Sequence, residues 1–583
     1  MSSSEAPTRS ANYTPHQNSR QMPAYEALAH DIKNSGIEAV FGLMSDDIAL
    51  FVATLDAIGV RFFAARHENN AVAMAEGYAA ATGRLGVAII GRGPTTANAM
   101  HGVAYAQRTG SRVLIIFGAS CIAHRVYGGS ETDTKEFNVT GVLAAGGMKT
   151  YAADAESTRR TLANAICATE PGGCVALLLP MNVQFGLLEY LASMGLQTSV
   201  ATPLVKRSLA RASAIEAATT MLNKSRKPLF VVGLGAHRSG AKDAIERLAH
   251  KTGAVLATTL KAKGMFRDHP YNLGVVGSFS HAAGHRLIAK ADCIVVFGAG
   301  LNQRTTSFGA SLPVDVPLIQ VDLAHANIGS WFHADARAAA EQLIEAIPDR
   351  ASSDKLFYTP ETRQRLASVD FAGEFQPVHT ALTMDPRSLG MALDTLQPQN
   401  RNAIYDAGNL LQTMPYISVP RPDHIKTTVD FASIGMGFGC ALGFACGTPD
   451  RTTVPFVGDG GFLMMLSELE TTAREGIPLM IVLMNDGAYG AELYDLRCVT
   501  CRCQKPCLPT STLRPSQRHL VSKRIPCARS MSYTSLPPYC KTRKNRCCWT
   551  ARSTPRSRQR FCSIRLSTSG IKSDTQHAKA HTF

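Results

Sequence analysis

The sequence predicts an α/β protein built from several doubly wound parallel sheets. Three observations carry that expectation. Short apolar runs recur through the first 497 residues, amphipathic stretches of helical period separate them, and turns rich in Gly or Asp close most of them. The runs VAII (87–90), RVLIIFG (112–118) and CVALLLP (174–180) are apolar at successive positions, as strands covered on both faces require. A second set comprises PLFVVGLG (228–235), CIVVFGAG (293–300) and PLIQVDL (317–323). A third comprises AIYDAG (403–408), TVPFVGDG (453–460) and PLMIVLMND (478–486). AIEAATTMLNKS and AAEQLIEAI are typical of the helical stretches between them.

Boundaries fall where this pattern lapses. Residues 1–22 are polar and expected to be disordered. The first domain is expected over 23–190 and the second over 205–347. A linker occupies 348–385, opened by the polar PDRASSDKLFYTPETRQR. A third domain occupies 386–497, and residues 498–583 form a tail. No apolar run approaches the ~20 residues of a membrane span, and the N-terminus lacks the apolar core of a secretory signal.

The formal charge of +15 suggests a nucleic-acid partner until it is located. The last 86 residues hold 18 Lys and Arg and a single acid, Asp574, whereas the first 497 carry 42 bases and 44 acids. The tail also holds nine of the 15 cysteines and one of the 47 glycines. The body is therefore a near-neutral, Cys-poor chain of cytoplasmic type, with no nucleic-acid partner expected. For the tail, a basic nucleic-acid arm, a metal module on Cys498, Cys501, Cys503 and Cys507, and a disulfide framework are weighed. The cysteines lack a second ligand pair at zinc spacing, and the body argues against disulfides. The expected reading is a coding frame that slips near Arg497, so that the tail is disordered and the third domain incomplete.

The segment GDGGFLMMLSELETTAREGIPLMIVLMNDGAYG, from Gly458, carries the strongest chemical signal. One strand ends at Asp459 and the next at Asp486, 27 residues on, at the sheet edge where open α/β proteins bind ligands. Two carboxylates there suit Mg²⁺, and Gly460 and Gly461 lead into a helix N-terminus that favours a diphosphate.

This pattern resembles the thiamine-diphosphate enzymes of the acetolactate synthase-like branch, whose signature is GDG followed some thirty residues later by NN. The resemblance implies thiamine diphosphate and Mg²⁺, with Asp459, Asp486 and the carbonyl of Ala488 as metal ligands and Gly458, Gly460 and Gly461 at the diphosphate. Asp486 replaces the second Asn of the signature and adds a negative charge. The block RHENNAVAMAEGYAAATGRLGVAIIGRGPTTAN, from Arg66, is similar to the family's cofactor-activating segment. It implies Glu68 as the catalytic carboxylate on the aminopyrimidine ring, with Gly93 and Asn98 nearby. DFASIGMGFGCALGFACG, from Asp430, resembles MGFGLPAAIGA and implies Gly435 and Met436 beneath a bent cofactor. Asp406-Ala407-Gly408-Asn409 resembles the loop over the diphosphate, implying Gly408 and Asn409.

FGLMSDDIALF places Asp46 where decarboxylase relatives carry an active-site Asp, but the adjacent histidines of that branch are missing, and Asp46 reads as a turn residue. Carboligation is therefore favoured over simple decarboxylation. Gly233-x-Gly235 lacks the third glycine of a dinucleotide fingerprint, so FAD stays undecided. The three domains become pyrimidine-binding, middle and diphosphate-binding. The resemblance implies a homodimer or homotetramer acting on a small 2-keto acid. A chain whose replaced C-terminal part leaves it without activity is the alternative, because an incomplete sheet would expose a strand edge.

Overall fold

In the computed structural model, residues 19–120, 134–170, 172–191, 207–492 and 562–565 are described, apart from 314, 325–328, 350 and 382. The chain divides into two compact units, residues 1–75 with 85–203, and residues 76–84 with 204–583.

The first unit holds a six-stranded parallel sheet in the order Arg61–Ala64, Ala39–Gly42, Gly86–Ile90, Arg112–Ala119, Gly173–Pro180, Lys149–Ala152. Every strand points the same way because helices carry the chain back between them, among them Glu68–Thr82 and Pro94–Thr109. Residues 19–22 are not part of a disordered N-terminus. Ser19–Pro23 pairs antiparallel with Leu187–Leu191, and Met22 is buried with Ala27 and Tyr190. One buried methionine and a backbone ladder are enough to order a segment whose composition reads as polar.

The second unit holds two parallel sheets. One has six strands, ordered Asn272–Val275, Val255–Thr258, Pro228–Val232, Cys293–Phe297, Leu318–Asp322, Ser330–His333. Its apolar runs follow from two-sided burial. Phe230, Val232, Leu256, Val295 and Phe297 enter one core, while Leu229, Val231, Val255, Ile294 and Val296 enter the opposite one. Alternate residues thus serve alternate faces, and none faces water. The 348–385 linker is not structureless; it contains a helix, Pro360–Ala367, capped by Thr359.

The other sheet is ordered Ile425–Thr427, Arg401–Tyr405, Thr452–Gly458, Val482–Asn485, Cys562–Arg565. Tyr405 stacks on Phe456 across adjacent strands, with ring centroids 4.2 Å apart. On the opposite face Ile404 packs with Cys440, Ala441 and Phe444 of the helix Met436–Gly447. That helix is apolar all round because it is buried all round. The tail expectation is corrected at one place. Cys562–Arg565 is a strand, paired parallel to Val482–Asn485, so the outer edge of that strand is covered. The rest of the tail, including the cysteines from Cys498 to Cys548, lies outside the described residues. No helix among the described residues is long and apolar enough to cross a membrane.

Candidate functional site

Three strands of the five-stranded sheet end side by side, and each delivers an acid at its carboxyl end. Arg401–Tyr405 leads to Asp406, Thr452–Gly458 to Asp459, and Val482–Asn485 to Asp486. Asp459 is the first residue of the short helix Asp459–Met464 and is almost fully buried. Burial raises its pKa, although its carboxylate accepts backbone N–H groups of Gly460, Asp486 and Gly487. Those bonds tie the turn after one strand to the turn after the next.

Asp486 is less well served. Its Oδ2 accepts only a long bond, 3.4 Å, from the Asn409 amide. Its Oδ1 is buried with no hydrogen-bond partner among the described residues. Burial raises the pKa of Asp486 to about 6; the Asn409 amide opposes that rise and the neighbouring Asp459 charge adds to it. A buried carboxylate oxygen without a donor, beside a second buried carboxylate, is a site short of positive charge. A hard divalent cation held by oxygen ligands supplies what is missing, so the residues present fit Mg²⁺. Ala488 lies two residues beyond Asp486 in the same turn.

Close packing fixes the glycines around this pair. A methyl group at Gly461 would lie 2.5 Å from Asp406 Oδ2 and 3.0 Å from the Gly435 nitrogen. Gly435, at φ +94°, caps the helix that begins with the fully buried Met436. Gly408, at φ +125°, opens the 3-10 segment Asn409–Tyr416, and a methyl group there would meet nothing within 4 Å. Gly458 and Gly460 flank Asp459, and Gly460 packs against the Tyr489 ring.

The sequence places Asp406 in the motif with Gly408 and Asn409 but gives it no role of its own, and in the structure it joins these pieces. It is 1% exposed and accepts from Gly435 N (2.6 Å), Gly437 N (3.2 Å) and Thr428 Oγ1 (3.2 Å). Its carboxylate thus clamps the start of the Met436 helix onto the loop that carries Gly408 and Asn409. The available signal was an acid directly after the apolar run AIY, where only an enclosed acceptor is tolerated.

In the first unit Glu68 begins the helix Glu68–Thr82 and is 3% exposed. Its Oε2 accepts from Asn98 Nδ2 at 3.2 Å, so two residues thirty positions apart come together. Gly93, at φ +65°, caps the helix Pro94–Thr109 that carries Asn98. Asp46 is exposed and paired with Lys135 (2.5 Å) and Arg92 (3.4 Å). Lys135, then burial and Arg92, act on its carboxyl, with a net pKa below the usual range. Its neighbour Asp47 is the buried one. It accepts from Ser45 Oγ and the Arg92 nitrogen, and it fills the space beside Gly118. The DD pair was the signal, with the second member carrying the structural weight.

The glycines of the middle sheet do not decide for or against FAD. A methyl group at Gly233 would lie 2.2 Å from the Gly298 carbonyl oxygen, and one at Gly235 2.9 Å from that same atom. Turn-to-turn packing accounts for both glycines.

Comparison with known families matches three successive segments of the chain. Residues 22–138 match the N-terminal thiamine pyrophosphate (TPP) binding domain of thiamine pyrophosphate enzymes, 215–346 the central domain and 406–495 the C-terminal TPP binding domain. The chain belongs to the thiamine pyrophosphate enzyme family. It is a thiamine-diphosphate-dependent enzyme of the acetolactate synthase-like branch with a three-domain α/β fold. Among its relatives is the acetolactate synthase isozyme 2 large subunit of Escherichia coli, 27% identical over 80% of this chain and 84% of that protein. An acetolactate synthase of Mycobacterium bovis is 25% identical over 81% of this chain and 77% of its own length. A probable 2-ketoarginine decarboxylase of Pseudomonas aeruginosa is 26% identical over 82% and 86%.

Proposed function

We propose that the chain binds thiamine diphosphate together with Mg²⁺ and acts on a small 2-keto acid, decarboxylating it and joining the remaining fragment to a second carbonyl compound. The observation that carries the metal-dependent reading is the donorless Oδ1 of Asp486 beside Asp459. Asp459, Asp486 and the Ala488 carbonyl would hold the cation, whose charge would offset both carboxylates beside the diphosphate. Gly408, Asn409, Gly458, Gly460 and Gly461 leave the backbone N–H groups of these turns accessible to the diphosphate. Gly435 and Met436 shape the apolar floor.

When bound, thiamine diphosphate supplies the electron sink for breaking the bond to the departing carboxylate. The chain's own part is to orient, to exclude water and to place one proton. Glu68, held by Asn98, keeps a carboxyl oxygen at a fixed point where it shares a proton with a ring nitrogen. Burial of Glu68 keeps water from competing for that proton. The family resemblance supports a homodimer or homotetramer in the cytoplasm.

Simple decarboxylation is the second reading, favoured by the relative named as a 2-ketoarginine decarboxylase. Incubation with pyruvate, thiamine diphosphate and Mg²⁺ separates the two: acetolactate with CO₂ supports carboligation, and acetaldehyde with CO₂ supports decarboxylation. Calorimetry gives the prior test. A chain that takes up no thiamine diphosphate in the presence of Mg²⁺ overturns both readings and leaves the non-catalytic alternative.

A further inference from the structure

A cavity of about 570 Å³ opens on the outer side of the six-stranded sheet of the second unit. It runs along the edge strand Asn272–Val275 and is closed by the helix Pro360–Ala367 and by Pro415 and Val419. Gly233, Gly235, Gly298 and Gly300, at the sheet's switch point, do not line it. Neither do Asp459, Asp486 or Glu68. Its size falls in the range of small-molecule sites.

The charges on its wall are unbalanced. Arg267 and Arg363 come from two different elements, a loop and a helix; both are exposed, and neither forms an ion pair among the described residues. Asp268 is the one carboxylate on the wall. The other polar groups are already engaged. Lys263 donates to the carbonyls of Met414 (2.5 Å) and Pro415 (2.8 Å). His281 accepts from Gly284 N as a helix cap, and His269 accepts from Tyr271 N. Two like charges on the wall of one cavity repel each other, and an anion bound there offsets both. Leu366, Val369 and Phe371 are presented to the same space, beside the polar Thr258, Asn272 and Ser418.

We propose that this cavity binds an amphiphilic organic anion, with a carboxylate or phosphate head between Arg267 and Arg363 and an apolar body against Leu366 and Phe371. Guanidinium forks suit both heads, and Leu366, Val369 and Phe371 favour a ligand with an apolar body over a bare inorganic ion. The site is independent of the thiamine diphosphate reading.

The test uses the full chain and three probes of one shape: 2-naphthyl phosphate, 2-naphthoate and the uncharged 2-naphthol. Calorimetry is expected to show one-to-one binding of at least one of the two anions, and whichever binds more tightly identifies the head group. The neutral probe should bind at least about tenfold more weakly, and Arg267→Gln with Arg363→Gln should cost the anion a similar factor. Both arginines are exposed, so the variant should keep its circular dichroism spectrum, and each single variant repeats the test if the double one does not. Binding should survive saturating thiamine diphosphate and Mg²⁺. Absence of binding by both anions, equal binding by the glutamine variants, equal binding of 2-naphthol, or displacement by thiamine diphosphate would each overturn the proposal.

Discussion

Asp486→Asn is expected to make the metal-free protein more stable and the loaded protein less so. The Asp486 carboxyl has its pKa raised from 3.8 to about 6, first by burial. At about 1.4 kcal/mol per pKa unit, keeping it ionised at neutral pH costs the fold about 3 kcal/mol. Little is lost by neutralising it. Oδ1 has no partner among the described residues and Oδ2 has one bond at 3.4 Å, which an amide can still make. The pH dependence has a definite sign. The folded state holds this proton more tightly than the unfolded chain, so the contribution to stability is fully present below pH 3.8. It is lost as pH rises through about 6. Urea unfolding in EDTA at pH 7.5 should therefore show Asp486→Asn ahead of the wild type by up to about 3 kcal/mol, with the gap closing towards pH 4. Adding Mg²⁺ and thiamine diphosphate should reverse the order, because the wild type alone keeps both anionic ligands. A metal-free Asp486→Asn protein no more stable than the wild type at pH 7.5 would refute the account of a charge-starved pair.

Three further outcomes are expected. Glu68→Gln should abolish CO₂ release from pyruvate while leaving thiamine diphosphate uptake measurable by calorimetry; unchanged turnover would remove Glu68 from its role. Gly461→Ala forces a methyl group to within 2.5 Å of Asp406 Oδ2, and should cost about 1–3 kcal/mol of unfolding free energy together with cofactor affinity; wild-type values for both would show that the clamp yields freely. Beyond the Arg497 codon, the coding DNA read in the other two frames should contain a Gly- and Val-rich α/β ending, and two frames without one would return the cysteine cluster to consideration.

The parts of the fold legible in the sequence are those where burial is two-sided. Runs such as CIVVFGAG and TVPFVGDG can be read directly because their central positions are all apolar, and their strands are Cys293–Phe297 and Thr452–Gly458. Edge strands were harder to see. Ser330–His333 is partly exposed and reads SWFH, and Ile425–Thr427 has only three residues. Of the site, Asp459 and Asp486 were legible because a turn after an apolar run is where such a sheet presents polar groups. Asp47 and Asp406 were not, because their function is enclosed: each collects N–H or hydroxyl donors from segments distant in sequence. No local pattern encodes the arrival of those donors.

The two halves of the proposed cation site do not rest on equal foundations. Asp459 terminates a strand with ladders on both sides, to Arg401–Tyr405 and to Val482–Asn485. Asp486 terminates Val482–Asn485, whose outer neighbour is Cys562–Arg565, a four-residue strand drawn from the tail. That outer strand pairs with all four residues of Val482–Asn485, whereas the inner ladder pairs with three, so the strand before Asp486 is held by both ladders and by the side chains it buries. Here those are Val482 and Met484, while Leu483 and Asn485 are only half-buried. The compositional break after Arg497 therefore bears on chemistry as well as on charge. Of the two carboxylates, Asp486 depends on the residues beyond that break, and it is also the one whose buried oxygen lacks a donor. The neighbouring strand fixes the segment before Asp486 without neutralising it. Neutralisation by protein donors is available to Asp406 and Asp459 because backbone N–H groups converge on them. For Asp486 it has to come from outside the chain.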